Sequence, residues 1–396
     1  METVVERWNI HPDLKWLRGV RPESEVEYDE RLNAWFVYGY QDVYDIINDP
    51  GTFSNKTAQL AAVQIDESFA EGDLSQLDPP EQTRYRKLIS RAFTPKVVAG
   101  LAPRITAITA GLIDAMRGRD RVDLVPDLAY PLPVIVIAEL LGIPAGDHEL
   151  FMAHSTTVIE QMNGLSFLDA EAEADVGHAL EQFLPMLDYL RAQIAERRAH
   201  PRDDLLSRLI LAEEDGQRLS DNEIVNLTNI LLGAGHITTT MLIGNAMTCL
   251  DANPDQLAQL RCDRTLVPGA LDEALRTLSP SAGVSRRNTT AVELSGVRLP
   301  PEQMILPWIA AANRDPRTFT DPDTFDIRRT PNPHLSFGHG VHFCIGSHLA
   351  RLEARIAINA LLDAFPTLRT DPTDPPVFFP TPDLIGPKSL PMRTRD

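Results

Sequence analysis

The sequence predicts a mainly helical α+β fold, with one small β-rich lobe beside the N-terminus, in a single domain spanning residues 1–396. Long stretches carry apolar residues at helical spacing, and the longest, Ser220–Ala252, corresponds to about 50 Å of helix. Short aromatic or β-branched runs, typical of strands, occur at 34–38, 292–294 and 304–307. These runs are too short and too scattered to build more than small sheets.

Each element follows from a local signal along the chain. A strand at Ala34–Tyr38 is followed by a short helix at Gln41–Asn48, a long polar loop at Asn55–Asp78, and a helix that begins after Pro79-Pro80. Further helices are predicted over Val97–Arg117, Val122–Leu141, Ala145–Ala199 (with Asn163-Gly164 as its clearest break), Leu266–Ser279 and from Ser347 onward. The proline-rich stretch Asp371–Met392 has no helical period.

Composition and charge restrict the functional class. The chain has 396 residues, of which 43% are hydrophobic, and a net charge of −19, which argues against a nucleic-acid partner. Its three cysteines provide no disulfide framework. The apolar window Pro131–Pro144 is interrupted by Glu139 and is too short to span a bilayer. We therefore expect a cytoplasmic protein with no membrane association.

The stretch FGHGVHFCIGSHLARLE, residues 337–353, surrounds one cysteine with glycines. Gly338, Gly340 and Gly346 permit a tight loop around Cys344, and the helical pattern begins just after it. Backbone N–H groups of such a loop, together with the helix start, stabilise a thiolate. Three kinds of chemistry use a thiolate: nucleophilic attack with His342 as the base, a zinc site with His342, and axial ligation of heme iron. The absence of a CxxC pair makes zinc the weakest of the three.

This stretch resembles the heme-binding signature of the cytochrome P450 family. The matching positions are Phe337, Gly340, Cys344, Gly346, Leu349, Ala350, Arg351 and Glu353. The resemblance implies the cytochrome P450 fold, heme b (iron protoporphyrin IX) as the cofactor, and Cys344 as the ligand of its iron. Phe337 and Gly346 would also contact the heme. Further family marks extend the resemblance over about residues 34–392.

The resemblance also implies which residues hold the two heme propionates. The basic helix after Pro80 carries Arg86 at the position of a propionate-binding arginine, but has Gln82 where the family commonly has histidine. Glutamine can donate a hydrogen bond but supplies no charge. Arg286 and His342 align with two other propionate contacts of the family. The remaining cations of this helix, Arg84, Lys87 and Arg91, could dock an acidic electron carrier.

The middle of the long helix, LLGAGHITTT, combines residues that are unfavourable in helices. Gly233 and Gly235 each weaken a helix by about 1 kcal/mol, and three threonines follow. The segment resembles the family's oxygen-binding groove through Ala234, Gly235 and Thr238. Ile237 departs from it, because the family usually has a carboxylic acid there to help deliver protons. Thr238 with ordered water could suffice, a hydroxyl of the substrate could complete the relay, or the enzyme could leak peroxide.

Glu273 and Arg276 form an ExxR pattern. Such an i, i+3 pair is ordinarily a weak surface contact. In the cytochrome P450 family it is a buried pair joined to the segment that resembles the family's meander, here Asn313–Pro316 and Asp321–Phe325. We therefore expect a structural role, in which this network holds the cysteine side of the heme pocket.

The resemblance implies a monooxygenase that hydroxylates or epoxidises a lipophilic small molecule, such as a polyketide, macrolide or terpenoid. Because the chain contains no dinucleotide fingerprint, we expect electrons from a separate ferredoxin and ferredoxin reductase. The substrate pocket is expected to include Ile230, Gly233, Ile237, Ala282, Val284 and Leu384, the last at the tip of the terminal hairpin. The alternatives are a peroxygenase that uses hydrogen peroxide, a heme-based binding or sensor protein, and a cysteine hydrolase.

Overall fold

The computed structural model describes residues 8, 10–60, 71–161, 173–214 and 217–395. The α-helices are α1 (Tyr40–Asn48), α2 (Glu81–Ser90), α3 (Pro95–Gly100), α4 (Ala102–Met116), α5 (Pro131–Leu141), α6 (His148–Gln161), α7 (Glu173–Ala199), α8 (Leu205–Leu211), α9 (Asp221–Ala252), α10 (Pro254–Cys262), α11 (Val267–Thr277), α12 (Ile309–Ala312) and α13 (Ser347–Ala364). Single turns lie at Lys15–Arg18, Ala58–Leu60, Val125–Ala129, Ala145–Asp147, Arg264–Leu266 and Gly340–His342.

The strands are short, as the sequence predicts. They are β1 (Val26–Asp29), β2 (Ala34–Val37), β3 (Phe53–Ser54), β4 (Arg121–Asp123), β5 (Glu213–Glu214), β6 (Gln217–Arg218), β7 (Arg286–Asn288), β8 (Val292–Leu294), β9 (Val297–Leu299), β10 (Met304–Pro307), β11 (Arg369–Thr370), β12 (Val377–Phe378), β13 (Pro387–Ser389) and β14 (Pro391–Arg393). The largest sheet has the order β1-β2-β10-β7-β3 and forms the expected β-rich lobe.

The β-rich lobe joins distant parts of the chain. Strand β2 pairs antiparallel with β1 on one edge and parallel with β10 on the other, with Ala34 opposite Met304. Strand β10 pairs in turn with β7, which carries Arg286. In a second sheet, of order β11-β14-β4, strand β14 near the end of the chain pairs antiparallel with β4. Through β7, the first sheet therefore fixes the position of Arg286.

Helix α9 runs through the helical part of the molecule and begins with the predicted cap. The Ser220 hydroxyl accepts a hydrogen bond from the backbone N–H of Glu223, and the Glu223 carboxylate accepts one from the Ser220 N–H. The helix packs against α5, α7, α11 and α13. Despite its glycines, it continues unbroken to Ala252, because packing against these four helices outweighs the weak local propensity.

Two predicted helices differ from the structure at prolines. The helix predicted over Val97–Arg117 divides into α3 and α4, because Pro103 in the first turn of α4 starts a new helix. The segment predicted as helical from Val122 begins instead as strand β4, which pairs with β14 near the end of the chain. Helix α5 starts only at Pro131. The Asn163-Gly164 break lies outside the described residues.

The loop that precedes α13, residues 337–346, is called the cysteine loop below. Gly338 and Gly340 have φ values of +67° and +65°, which side chains with a Cβ rarely adopt. A Cβ on Gly340 would also lie 2.8 Å from the Asn48 side-chain oxygen. The backbone N–H of Cys344 donates to the carbonyl of Phe337 at 2.8 Å. These features place Cys344 just before the first turn of α13, as predicted.

Within the described part of the chain, one helix is long and apolar enough to cross a membrane, namely α9. A bent pair made of residues 81–100 and 102–116 also passes that test if it is counted as one span. In α9, 72% of the apolar window is buried inside the protein, as in a core helix.

Candidate active site

A cavity of about 400 Å³ lies between α9 and the cysteine loop. Its two opposite walls are Cys344 with its neighbours and the face of α9 that carries Thr238. The lining is mainly apolar and includes Leu74, Phe93, Pro133, Ile137, Leu227, Ile230, Leu231, Leu242, Val284 and Ile309. A flat, largely apolar molecule placed here would contact the thiol on one side and the helix on the other.

The Cys344 sulfur is held by backbone donors. The N–H groups of Gly346 and Ser347 donate hydrogen bonds to it, and Arg86 and Arg351 add favourable charge. Burial outweighs these contacts, so the pKa of the thiol is raised above its usual value. A coordinated metal ion would remove this proton outright. Phe337 lies beside the sulfur, and the Arg351 guanidinium stacks over its ring at 4.4 Å.

One end of the cavity collects cationic and hydrogen-bonding groups. Arg286 is 7% exposed, and burial lowers its pKa to about 10, because Asp78 compensates its charge only in part. Its guanidinium donates to the Ser285 carbonyl at 2.7 Å. His342 lies nearby with its side chain bonded to that of Asn55, and burial, then Arg286, lowers the His342 pKa to about 4. A buried arginine of this kind calls for an anion.

Arg86 joins this end of the cavity from α2. It donates to the Phe343 carbonyl at 2.5 Å and lines the cavity beside Cys344. Gln82, expected beside a propionate, makes a different contact: its amide donates to the Val341 carbonyl at 2.6 Å, and the residue is buried. One turn separates the two residues on α2, so both face the cysteine loop. Gln82 therefore holds the cysteine loop in place and does not line the cavity.

These residues fit a heme. The donor set consists of one thiol as an iron ligand, two guanidinium groups and a histidine for carboxylates, and apolar walls for a flat ring. The buried charge of Arg286 makes no ion pair with a carboxylate of the described residues, which matches a propionate contact. Cys344, Phe337, Arg86, Arg286 and His342 would hold the group, as the resemblance implies.

The wall opposite the thiol is formed by α9. The Thr238 hydroxyl donates to the Ala234 carbonyl at 2.9 Å, and Thr239 bonds Gly235 in the same way. Ala234, Gly235 and Thr238 all line the cavity, and Ile230 lies one turn earlier on the same face. A threonine that donates its proton backwards to the helix leaves its oxygen as an acceptor toward the cavity.

Several expected pocket residues lie elsewhere. Ile237 is 6% exposed and forms a small apolar cluster with Met241 and Phe379, against which Leu384 packs. The physical reason is the helix period, since neighbouring residues point about 100° apart and Thr238 takes the cavity face. Ala282 is fully buried, and its N–H donates to the Asp383 carbonyl.

The short segment before β7 still reaches the cavity through three residues, Pro280, Ser281 and Val284. Ser281 also bridges to Leu384, which ties this segment to the terminal hairpin. Gly233 faces open space, because a Cβ added to it would have no neighbouring atom within 4 Å. Of the six expected pocket residues, Ile230 and Val284 line the cavity.

Sequence reasoning missed several lining residues. Asn55, Leu74 and Ser75 come from the long loop after β3, which carries no periodic signal that would identify them. Phe93 follows α2, and Ile137 comes from the buried helix α5. Counting helical turns of α9 back from Thr238 would have identified Leu231 and Leu227, which lie on the same face of the helix.

The fold and the site together define a heme-thiolate protein. The family model for Cytochrome P450 matches residues 28–393, and the chain belongs to that family. It is a cytochrome P450 monooxygenase that uses heme b.

Similar proteins cover nearly the whole chain. The chain is 41% identical to cyclomarin C epoxidase CymV of Salinispora arenicola over 95% of its own length and 94% of the relative's. It is 40% identical to the cytochrome P450 monooxygenase PikC of Streptomyces venezuelae over 97% and 91%. The crystal structure of HmtT, involved in himastatin biosynthesis, matches with a TM-score of 0.91 and 55% identity over 99% of this chain and 100% of that one.

Proposed function

We propose that this enzyme hydroxylates or epoxidises a lipophilic small molecule of secondary metabolism, using O2 and electrons from a separate ferredoxin and ferredoxin reductase. The whole chain, residues 1–396, works as one domain in the cytoplasm, without nucleic acid or membrane as a partner. One observation carries the proposal: Cys344 and Thr238 line the same mainly apolar cavity. An iron ligand and a group that accepts hydrogen bonds therefore share one cavity.

The chain's own residues have separate tasks in this proposal. Heme, when bound, supplies oxygen activation and transfer of an oxygen atom to the substrate. Cys344 would ligate its iron, while Arg86, Arg286 and His342 would hold its carboxylates at the cationic end of the cavity. Thr238, with Ala234 and Gly235 giving space beside it, would hold oxygen and water by hydrogen bonds. The apolar side chains that line the cavity would exclude bulk water, which strengthens each of these contacts.

The cavity chemistry supports a largely apolar substrate with few polar groups. Ile230, Leu231, Val284 and Ile137 supply the apolar surface, and Ser75 and Ser281 supply hydroxyl groups. Relatives are named for epoxidation of cyclomarin C and for C-12 hydroxylation of erythromycin. We place the substrate among large natural products, with a polyketide or macrolide ahead of a terpenoid.

The surface of α2 supports docking of an acidic electron carrier. Arg86 lies next to the Phe343 carbonyl, close to the cysteine loop, so that a carrier bound here approaches the thiolate side of the heme. The half-buried Arg84 pairs instead with Glu223 at 3.3 Å. We therefore assign the docking role to the exposed cations Lys87 and Arg91.

Binding and turnover test this proposal directly. The purified holoenzyme should give the red-shifted Soret band of a thiolate-ligated ferrous carbon monoxide complex. A panel of macrolides, polyketides and terpenoids should include compounds that displace water from the iron and shift the Soret band. Those compounds should gain one oxygen atom by mass spectrometry when a ferredoxin, its reductase and NADPH are present. A colourless protein, or one with the band of a histidine ligand, would refute the proposal.

A peroxygenase is the second candidate, because Ile237 gives the Thr238 segment no acid. It predicts faster product formation with hydrogen peroxide alone than with ferredoxin and reductase. A sensor protein predicts no oxidised product either with hydrogen peroxide or with ferredoxin and reductase. The same panel of compounds, run under both conditions, separates the three functions.

A further inference from the structure

The hydroxyl groups that line the cavity share one direction of hydrogen bonding. Each bonds an oxygen of the protein that acts only as an acceptor, so each hydroxyl has to donate its single proton to that oxygen. Ser281 donates to the Gly283 carbonyl at 2.9 Å. Thr239 donates to the Gly235 carbonyl at 2.9 Å. Among the described residues, the serine and threonine side chains that line the cavity are those of Ser75, Thr238, Thr239, Ser281 and Ser336.

The other three hydroxyls follow the same pattern. Thr238 donates to its own helix in the manner already described. Ser336 donates to the Leu275 carbonyl at 2.8 Å. Ser75 donates at 2.6 Å to an Asp73 side-chain oxygen, which also accepts the Ser75 backbone N–H at 2.8 Å. Because a hydroxyl oxygen keeps its lone pairs after its proton is used, these side chains act toward the cavity as hydrogen-bond acceptors.

The side chains that could donate into the cavity belong to other parts of its wall. They lie at the cationic end, on the cysteine loop, or on α13 directly after that loop. In the proposed holoenzyme the cationic end holds the heme carboxylates, so its donors are already used. Among the described residues that line the cavity, the side chains with N–H or carboxyl groups are those of Asn55, Arg86, Arg286, His339, His342 and Glu353.

This arrangement treats the oxygen atoms of a substrate unequally. A hydroxyl or amide N–H group can donate to the free lone pairs of the cavity hydroxyls without any rearrangement. A ketone, ester or ether oxygen either stays unpaired, or takes the proton of a hydroxyl that then loses its bond to the protein. Either outcome forfeits about one hydrogen bond, which corresponds to roughly 3–10-fold in affinity.

We propose that the cavity selects its substrate by hydrogen-bond donors, with Ser75, Thr239 and Ser281 as the accepting groups. The inference rests on the proposed function and narrows its substrate class to molecules that present hydroxyl or amide N–H groups. Molecules whose oxygens are all ketones, esters or ethers are disfavoured. The three acceptors come from the loop after β3, from α9 and from the segment before β7, so the cavity can recognise more than one donor of the same molecule.

Three probes with one apolar skeleton test the inference on the holoenzyme: decalol, its ketone decalone and its methyl ether methoxydecalin. Each probe carries one oxygen that accepts hydrogen bonds, but only decalol also carries a donor. Equilibrium dialysis of the ferrous carbon monoxide complex measures binding, because carbon monoxide fills the open iron position and no probe can ligate the metal. The wild type should bind decalol roughly 3–10-fold more tightly than either of the other two probes.

Variants identify the accepting oxygens. Ser281→Ala and Thr239→Val each remove one hydroxyl, and at least one of them should lower the preference for decalol while the affinity for decalone changes less than about twofold. The combined variant, which also carries Ser75→Ala, should bring the ratio of decalol to decalone affinity below about twofold. Since the cost of removing each probe from water is the same for every variant, a change in this ratio reports the protein's own oxygen atoms.

Two matched controls make the same changes away from the cavity. The Ser24 hydroxyl donates to the Val26 carbonyl two residues ahead at 2.8 Å, as Ser281 does, but Ser24 does not line the cavity. The buried Thr248 hydroxyl donates four residues back on α9 at 2.8 Å, as Thr239 does. Ser24→Ala and Thr248→Val should therefore keep the wild-type ratio of decalol to decalone affinity.

Failure of the inference and failure of the proposed function give different results. If the wild type binds the three probes within about twofold of one another, or if the combined variant keeps the wild-type ratio, the inference is wrong even when the enzyme forms product. Should the combined variant lose its heme, the wild-type ratio and the two single variants decide. If the wild type makes no product with any electron source, the proposed function itself is wrong, whatever the probes show.

Discussion

Glu273 and Arg276 form a two-point ion pair in which both side chains are fully buried. The guanidinium nitrogens of Arg276 lie 2.7 and 2.8 Å from the two Glu273 oxygens. Arg329 also donates to both oxygens at 3.1 Å, and Arg276 donates to the Pro322 carbonyl at 2.7 Å. The pair therefore ties α11 to the segment that leads into the cysteine loop.

Removing one partner of this pair should destabilise the protein severely. Glu273→Ala leaves the buried Arg276 and the partly buried Arg329 without their carboxylate, which should cost about 3–5 kcal/mol and yield heme-free or insoluble protein. Urea unfolding and the heme-to-protein absorbance ratio measure this effect. As a control, Asp363→Ala removes an exposed partner of Arg264 and should cost less than about 1 kcal/mol. Equal losses in both variants would contradict a structural role.

The thiolate ligand can be tested with two of the chain's three cysteines. Cys344→Ser should abolish the red-shifted Soret band of the ferrous carbon monoxide complex, because a hydroxyl is a poor substitute for a thiolate donor. Cys262→Ser changes an exposed thiol and should leave the band unchanged. Persistence of the band in Cys344→Ser would show that another residue ligates the iron.

Arg286 should contribute to heme retention. Arg286→Met removes a buried charge from the cationic end of the cavity, and the loss of a charge-assisted hydrogen bond costs about 1.5 kcal/mol or more, roughly tenfold in heme affinity. Transfer of heme to apomyoglobin measures this loss as a faster release rate. Arg287→Met is the control, because the neighbouring guanidinium contacts Glu302 and Gln59 instead. Similar release rates in the two variants would exclude a propionate contact.

Thr238 should govern the coupling of electron use to product. Thr238→Ala removes the hydroxyl oxygen that faces the cavity, so peroxide release should rise and product per electron should fall by about tenfold. Thr248→Ala removes a hydroxyl that bonds a carbonyl four residues back in the same way, at 2.8 Å from Gly244, in a fully buried position. Its coupling should match the wild type. Unchanged coupling in Thr238→Ala would remove this residue from oxygen handling.

Acid should destabilise the protein partly through His236. This histidine is buried, donates from Nδ1 to the Leu232 carbonyl, and contacts the Tyr130 ring edge. Burial, with a smaller contribution from His154, lowers its pKa from 6.5 to about 4. Between these values the unfolded chain binds a proton that the folded one does not. Stability from this group is therefore complete above pH 6.5 and falls by about 1.4 kcal/mol for each pH unit down to 4.

Urea unfolding at several pH values measures that slope. His236→Asn should make the dependence shallower between pH 6.5 and 4, while the exposed His200→Gln should leave it unchanged. The opposite ranking of the two variants would contradict this assignment.

Local signals predicted much of the fold. The Ser220 cap, the strands at 292–294 and 304–307 and the helix after Cys344 all appear at the predicted places, because each depends on neighbouring residues. Strand β4 was missed, since its pairing with β14 joins residues about 270 positions apart and leaves no local trace. Proline positions shifted other boundaries, as at Pro131.

The site could be predicted where a motif fixes the backbone, and less well where the tertiary structure selects a side chain's direction. Cys344 and Thr238 lie on facing cavity walls, as their motifs indicated. Gln82 and Ile237 took other contacts, because the face of a helix that meets the cavity depends on how the helices pack. Asn55 belongs to a loop without periodicity, and its contact with His342 appears only in three dimensions.

The pairing of β2 with both β1 and β10 has a consequence for biosynthesis. The β1 edge is satisfied as soon as the first 40 residues leave the ribosome, whereas the other edge has no partner until residue 307 has been made. At 5–20 residues per second, translation of the roughly 270 intervening residues takes about 15–50 s. During that interval an apolar strand edge stays open to other chains, so expression at lower temperature or with chaperones should raise the soluble yield.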